Sequence, residues 1–419
     1  MKDLIALRRE LHRHAESGWT EFYTTARIIQ RLQSLDIPVR YGRQIHCEEA
    51  RMGLPPEEML ERCWQRAAEE LGSTALIEPM RGGFTGCVAE IHGALPGGVT
   101  VLRVDLDACD VAESEDEAHR PAREGFASIH ENCMHACGHD AHAAIGVGAA
   151  ERIWKRREAL RGTVRVVFQP AEEGLRGAKS MTKAGVLQDA ERLFGLHAGI
   201  CEGETGTVAA SVKGILSGTK FDAVFHGVPA HAGICPEKGR NALAAAAKAT
   251  LDLLAIPQDA PGLCRVNVGT LHGGTGRNVI PAFARMAAET RGETPEQNKA
   301  AEERAFALCR AAAQAYGCTV ELIAMGGAEG VRCDEELALW AQERIRTLPG
   351  VKEVLREAYF GGGEDITTMM SAVQRQGGSA TELLLCMPLP YPHHSSRFDI
   401  AEEVIPLGVE ILERLAMGE

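Results

Sequence analysis

The sequence predicts an α/β fold in two parts: a larger layered domain with a mixed sheet between helices, and a ferredoxin-like domain inserted into it. Three observations predict this. β-rich segments alternate with amphipathic helices on either side of residues 213–325, the order that layers helices on a sheet. Within 213–325 the elements follow as β-α-β-β-α-β, the ferredoxin-like order. At 419 residues the chain also exceeds one typical hydrophobic core. The expected division is 1–212 and 326–419 as one domain, with 213–325 as the insert.

The elements follow in order. Residues 3–14 carry Leu4, Leu7 and Leu11 on one face and read as a helix, and residues 21–35 read as a second. Pro55 and Pro56 open a third helix, Glu57 and Glu58 favour its positive end, and Gly72 stops it. The surrounding segment, 43–80, reads as an excursion from the main fold. Residues 86–91 and 99–106 are β-rich, 141–156 form a helix, and 163–168 (Thr-Val-Arg-Val-Val-Phe) form a buried strand. In the insert, strands are expected at 219–227, 266–271, 284–291 and 319–324, with helices at 239–255 and 295–316. Helices at 334–347, 365–377 and 401–416 and a strand at 383–387 complete the chain.

Composition narrows the class. Apolar residues make up 45% and charged residues 25%, an ordinary globular balance. No apolar run approaches the roughly 18 residues of a membrane span. Met1-Lys2-Asp3-Leu4 leads directly into an amphipathic pattern, so a cytoplasmic location is expected. The net charge of −13 and the lack of a basic patch argue against a nucleic-acid binder. The 13 cysteines are odd in number and form no CxxC pair, which fits reduced thiols better than a disulfide framework.

The densest chemistry lies in Met134-His135-Ala136-Cys137-Gly138-His139-Asp140-Ala141-His142. Thiolate and imidazole are the ligands that Zn, Mn, Fe or Co sites draw on. Gly138 lets the chain turn so that Cys137 and His139 converge. A helix starting near Asp140 is expected to lower the Cys137 pKa. The alternative is a helix cap with coincidental histidines. In Phe168-Gln169-Pro170-Ala171-Glu172-Glu173-Gly174, two carboxylates follow a buried strand, where sites of α/β sheets form. Neighbouring side chains diverge, so one can bind metal while the other faces substrate as a base; a solvated loop is the alternative. His197 ends an apolar run, and His394 sits in Pro392-His393-His394-Ser395. Each is unremarkable alone, and His393 leaves the last position ambiguous by one. Together with Cys137, His139 and Glu173 they make five ligands, enough for two metals with open positions.

The chain resembles the dinuclear-metal aminoacylase/carboxypeptidase superfamily, in particular its amidohydrolase branch with the auxin-conjugate and hippurate hydrolases. The resemblance rests on Leu7-Arg8-Arg9-Glu10-Leu11-His12, Arg103-Val104-Asp105-Leu106-Asp107-Ala108, the Cys-Gly-His-Asp run, 168–174, 227–233 and 269–281, almost the whole chain. It implies two divalent metal ions per chain, Mn or Zn, bound by Cys137, His139, Glu173, His197 and His394, with Glu172 as base. It implies a lid and dimerisation role for the insert, with His231 of Gly227-Val228-Pro229-Ala230-His231 reaching a partner's site to stabilise the oxyanion. Asn278 and Arg291 resemble residues that hold the substrate and its carboxylate. The implied substrate is an N-acyl amino acid with an aromatic acyl group. The implied partner is a second copy or a homologous subunit.

Two departures matter. Other branches carry His-x-Asp where this chain has Arg103-Val104-Asp105, so that histidine ligand is missing; Cys137 is then expected to bridge the ions, with Asp105 and Asp107 in supporting roles. Gly363 stands where much of the branch has Ser. Two rivals are a cysteine hydrolase built on Cys137 and a non-catalytic paralogous subunit.

Overall fold

The computed structural model describes residues 2–257 and 264–419. Its strands, in chain order, are β1 (Val39–Tyr41), β2 (Cys87–His92), β3 (Leu95–Asp105), β4 (Arg161–Gln169), β5 (Ala190–Glu202), β6 (Thr207–Ala209), β7 (Val212–Lys213), β8 (Ser217–His226), β9 (Cys264–Gly273), β10 (Phe283–Gly292), β11 (Thr319–Ala328), β12 (Glu353–Leu355), β13 (Ala358–Tyr359) and β14 (Ser379–Met387).

The chain forms two compact units. The larger comprises the described residues up to Gly214 together with Arg332–Gly361 and Asp365–Glu419. The smaller comprises Ile215–Val331 and Gly362–Glu364. Its C-terminal limit lies beyond the 325 read from the sequence because β11 continues through a register shift between Ala324 and Gly326 to Ala328. There the Ser217 hydroxyl donates to the Ala328 carbonyl.

The larger unit is built on an eight-stranded mixed sheet in the order β1-β2-β4-β3-β5-β14-β6-β12. β4, β3, β5 and β14 run parallel. Parallel strands are covered on both faces and therefore read as continuous apolar runs, as in the Leu383-Leu384-Leu385 stretch of β14. The helix His139–Lys155 is buried along almost its whole length. Its small residues allow that approach: a Cβ on Gly146 would meet Val104 Cγ2 at 2.7 Å and Phe168 Cε1 at 2.8 Å. The helices Lys2–Arg13 and Val404–Met417 share its core cluster through Leu4, Leu11, Val409 and Leu412.

The smaller unit is a four-stranded antiparallel sheet in the order β11-β8-β10-β9. Helices Ala242–Leu254 and Pro295–Ala315 complete the ferredoxin-like arrangement. Their alanines pack with Phe221 and Phe225. Local chemistry sets the ends: Asn241 caps the first helix by accepting the Ala244 N–H, and Thr294 with Gln297 forms a capping box on the second.

The excursion at 43–80 carries the helix Glu57–Leu71, closed by Gly72 at φ +64°. β5 is a strand that the sequence pattern does not announce. Gly195, His197 and Gly199 interrupt its apolar run, and it shows no polar alternation; β3 and β14 pair with its two edges. Gly195 lets Ile366 pack close to the strand: a Cβ there would meet Ile366 Cδ1 at 2.1 Å and displace that side chain.

Candidate metal centre

Three parallel strands deliver the centre, at the end of an α/β sheet where such sites form. Asp105 ends β3, Gln169 ends β4 just before Glu172 and Glu173, and His197 lies in β5. Gly138, at φ +87°, turns the chain into the helix His139–Lys155 and brings Cys137 and His139 together. Donor atoms of Cys137, His139 and Glu173 lie within 4.8 Å of one another, as do those of Asp105, His139, His142 and His197. Cys137 Sγ is 3.7 Å from His197 Nε2. His394, at φ 60°, places Nε2 3.0 Å from Glu173 Oε1.

The structure adds Cys109, which belongs to no sequence motif of its own. Its thiol donates to Glu173 Oε1 at 3.0 Å, and it clusters with Glu173 and His394. Its position two residues after Asp107, in the same loop, is the one signal that the sequence offers for it.

Supporting residues hold these groups in place. Asp107 accepts the backbone N–H of Glu172 on Oδ1 and that of Glu173 on Oδ2, both at 2.9 Å. Asp105 is pinned between Arg103 Nη1 at 2.7 Å and His142 Nδ1 at 2.6 Å. His142 Nε2 accepts the Ala198 N–H at 2.9 Å, fixing β5 beside His197. Both His142 nitrogens are therefore engaged. His135 lies toward His12, with ring centroids 6.0 Å apart, and burial pulls its pKa down to about 3. Asp140 turns away to bind His12 at 2.8 Å and Arg8 at 2.7 Å, anchoring the first helix.

Two observations test the fit to a cation. His139 is fully buried, yet neither ring nitrogen has a hydrogen-bond partner among the described residues. Its nitrogens lie instead 3.5 Å from Asp107 Oδ1 and 3.8 Å from Asp105 Oδ1. Burial opposes charge on this ring, but Asp105 and Asp107 outweigh it and raise its pKa to about 10. The pocket thus attracts positive charge, and its thiol, imidazole and carboxylate donors suit a divalent transition ion. Cys137 corrects one expectation. Burial, reinforced by Glu173 and Cys109, raises its pKa well above the usual thiol value. The helix N-terminus does not offset this, so a thiolate there requires a neighbouring cation.

In the smaller unit, His231 and Asn278 are adjacent: His231 bridges to Val279, and Ala232 N–H donates to the Asn278 carbonyl at 3.0 Å. His231 Nδ1 accepts the N–H groups of Gly233 and Ile234 at 3.1 and 3.2 Å. The exposed ring therefore carries its proton on Nε2. Arg291 is paired through both Nε and Nη2 to Glu289, each at 3.0 Å.

In the larger unit, the thiol, imidazole and carboxylate donors set around paired acids at the strand ends are those of a metal-dependent hydrolase of the amidohydrolase and peptidase type. Residues 101–418 match peptidase family M20/M25/M40, and the chain belongs to that family. It is 42% identical to indole-3-acetyl-aspartic acid hydrolase of Enterobacter agglomerans, over 100% of this chain and 96% of that protein. It is 41% identical to one subunit of the p-aminobenzoyl-glutamate hydrolase of Escherichia coli, over 98% and 94%. Among solved structures it is similar to an aminobenzoyl-glutamate utilization protein from Klebsiella pneumoniae, with TM-score 0.85, 36% identity and coverage of 99% and 95%. It is also similar to a dinuclear metal-binding M20 peptidase from Bacillus subtilis, with TM-score 0.67, 26% identity and coverage of 99% and 97%. The family and these neighbours support divalent metal ions.

Proposed function

We propose that the chain hydrolyses the amide bond of an N-acyl amino acid, with p-aminobenzoyl-glutamate as the preferred substrate. The observation that carries this is Asp107 holding Glu172 and Glu173 side by side, next to Cys137, His139 and His197. Two ions, Mn or Zn, would be held by Cys137, His139, Glu173, His197 and His394. When bound, such ions polarise a carbonyl and lower the pKa of water from about 15.7 toward roughly 7. Glu172 accepts the proton of the attacking water and returns it to the leaving nitrogen. His231 donates from Nε2 to the developing oxyanion. Asn278 and Arg291 hold the amino-acid portion, Arg291 exchanging Glu289 for the substrate carboxylate.

The relatives named for p-aminobenzoyl-glutamate and indole-3-acetyl-aspartate favour an aromatic acyl group joined to an acidic amino acid. The chain works in the cytoplasm; its cysteines are free thiols, which suits a reducing compartment. It acts as a dimer, with itself or a homologous subunit, through the insert, whose sheet has edge strands β9 and β11 that another chain can extend.

A panel of N-acyl amino acids assayed with Mn, Zn and Co tests the reading. Aromatic acyl conjugates of Glu or Asp should show the highest kcat/KM. No turnover of any conjugate by metal-loaded protein would leave a non-catalytic subunit, and chelator-resistant, alkylation-sensitive turnover would mean a cysteine hydrolase.

A further inference from the structure

A second cluster of ligating side chains joins three separate parts of the larger unit. His14 follows the helix Lys2–Arg13, Glu70 lies in the last turn of the helix Glu57–Leu71, and His130 lies beyond the short helix Arg120–Glu124. Glu70 Oε2 is 2.8 Å from His14 Nδ1, and Oε1 is 2.8 Å from His130 Nε2. One donor atom from each of the three lies within 4.8 Å of the others.

The hydrogen-bond roles point to a cation. His130 Nδ1 lies 2.6 Å from the Ala15 carbonyl oxygen. A carbonyl only accepts, so Nδ1 carries the hydrogen and, in the neutral ring, Nε2 is a lone pair. That lone pair faces a carboxylate oxygen, which also only accepts. Two acceptors in contact need a positive centre between them, either a proton or a metal ion. A backbone carbonyl that fixes the far nitrogen is the usual support of a metal-ligating imidazole.

His14 is also fixed in advance. Its ring stacks on Tyr23 at 4.0 Å and 13°, and the Tyr23 hydroxyl donates to Glu10. The side chains of His14 and Glu70 are partly exposed, at 16% and 18%, so an ion could reach them from solvent.

We propose that His14, Glu70 and His130 form a metal site separate from the hydrolytic centre, taking a borderline divalent ion such as Zn(II). The ion would tie the excursion helix to the first helix and to the 125–135 loop. Tetrahedral zinc, with bonds of about 2.0–2.1 Å, spaces its ligands about 3.3 Å apart. Glu70 meets the two rings through different oxygens, so binding through one of them would turn the carboxylate and open that oxygen's 2.8 Å contact by roughly half an ångström.

The test counts zinc bound after dialysis of metal-free protein against Zn(II), for wild type, His14→Phe and His130→Asn. His14→Phe retains a ring to stack on Tyr23. Wild type should bind one equivalent more than either variant, and zinc should raise its Tm further than theirs. Because the result is a difference, it holds whatever the hydrolytic centre binds. If either variant fails to fold, Glu70→Gln replaces it with the same expectation. Equal counts in wild type and variants overturn the proposal and leave a clamp held by a proton.

Discussion

Asp107 holds the main chain of Glu172: its Oδ1 accepts that residue's N–H at 2.9 Å. Its other oxygen takes the N–H of Glu173 at the same distance. One carboxylate thus sets the orientation of the residue proposed as base and of the residue proposed as ligand. An Asn in its place has only one acceptor oxygen. Asp107→Asn should leave one buried N–H without its acceptor, costing about 1–3 kcal/mol of stability. kcat should fall more than KM rises. Denaturant unfolding and steady-state kinetics check both, and a variant with wild-type kcat would separate Asp107 from the positioning of Glu172.

Glu172→Gln should reduce kcat by about 10²–10⁴-fold while the metal content stays that of wild type, because Gln keeps the shape but cannot take a proton. Glu173→Gln and His139→Ala should instead lose metal, as should wild type treated with a chelator. Metal analysis alongside kinetics distinguishes the two outcomes. Loss of metal from Glu172→Gln would exchange the roles of the two acids.

A mixed assembly tests whether His231 serves a partner's centre. His231→Ala and Glu172→Gln, each inactive alone, are separated into single chains and reassembled together. Mixed dimers should recover one complete centre, with activity approaching half that of wild type per mixed dimer. If His231 serves its own chain, every centre in the mixed dimer lacks one group and no activity returns. Wild-type protein assayed alone comes first, since a requirement for a homologous subunit would silence both variants regardless.

Glu113 gives a pH prediction. Burial pushes its pKa up, but His119 and His12 outweigh this and hold it at about 2, against an ordinary 4.5. A depressed carboxyl stabilises the fold above 4.5, and that contribution is lost as pH falls from 4.5 toward 2. His12 shifts oppositely: burial lowers its pKa, yet Asp140 and Glu113 raise it above 6.5 overall. Its contribution is complete below 6.5 and fades as pH rises through the higher folded value. Tm should therefore fall on the acid side of 4.5 in wild type, and Glu113→Gln should show a lower Tm at neutral pH with a shallower acid slope. Parallel acid slopes in the two proteins would count against the pair.

The periodic elements were legible in the chain because local chemistry sets them. Gly72 ends its helix, Thr294 with Gln297 begins another, and the apolar run of β4 has one plausible burial. The ferredoxin-like order of the insert was legible for the same reason. The residues proposed to bind metal stood out in the chain, since Cys, His and adjacent Glu at the ends of apolar runs are chemically conspicuous. Tertiary structure alone decided the rest. It made β5 a strand by pairing both edges of an irregular sequence with β3 and β14. It raised the Cys137 pKa where a helix N-terminus had suggested the reverse, because burial and two neighbouring acidic groups outweigh a partial charge. It put Cys109 against Glu173, and it gathered His14, Glu70 and His130 from three distant stretches. Propensity and capping act over a few residues along the chain. Desolvation and the pairing of charges depend on what arrives from elsewhere, and only the folded arrangement determines that.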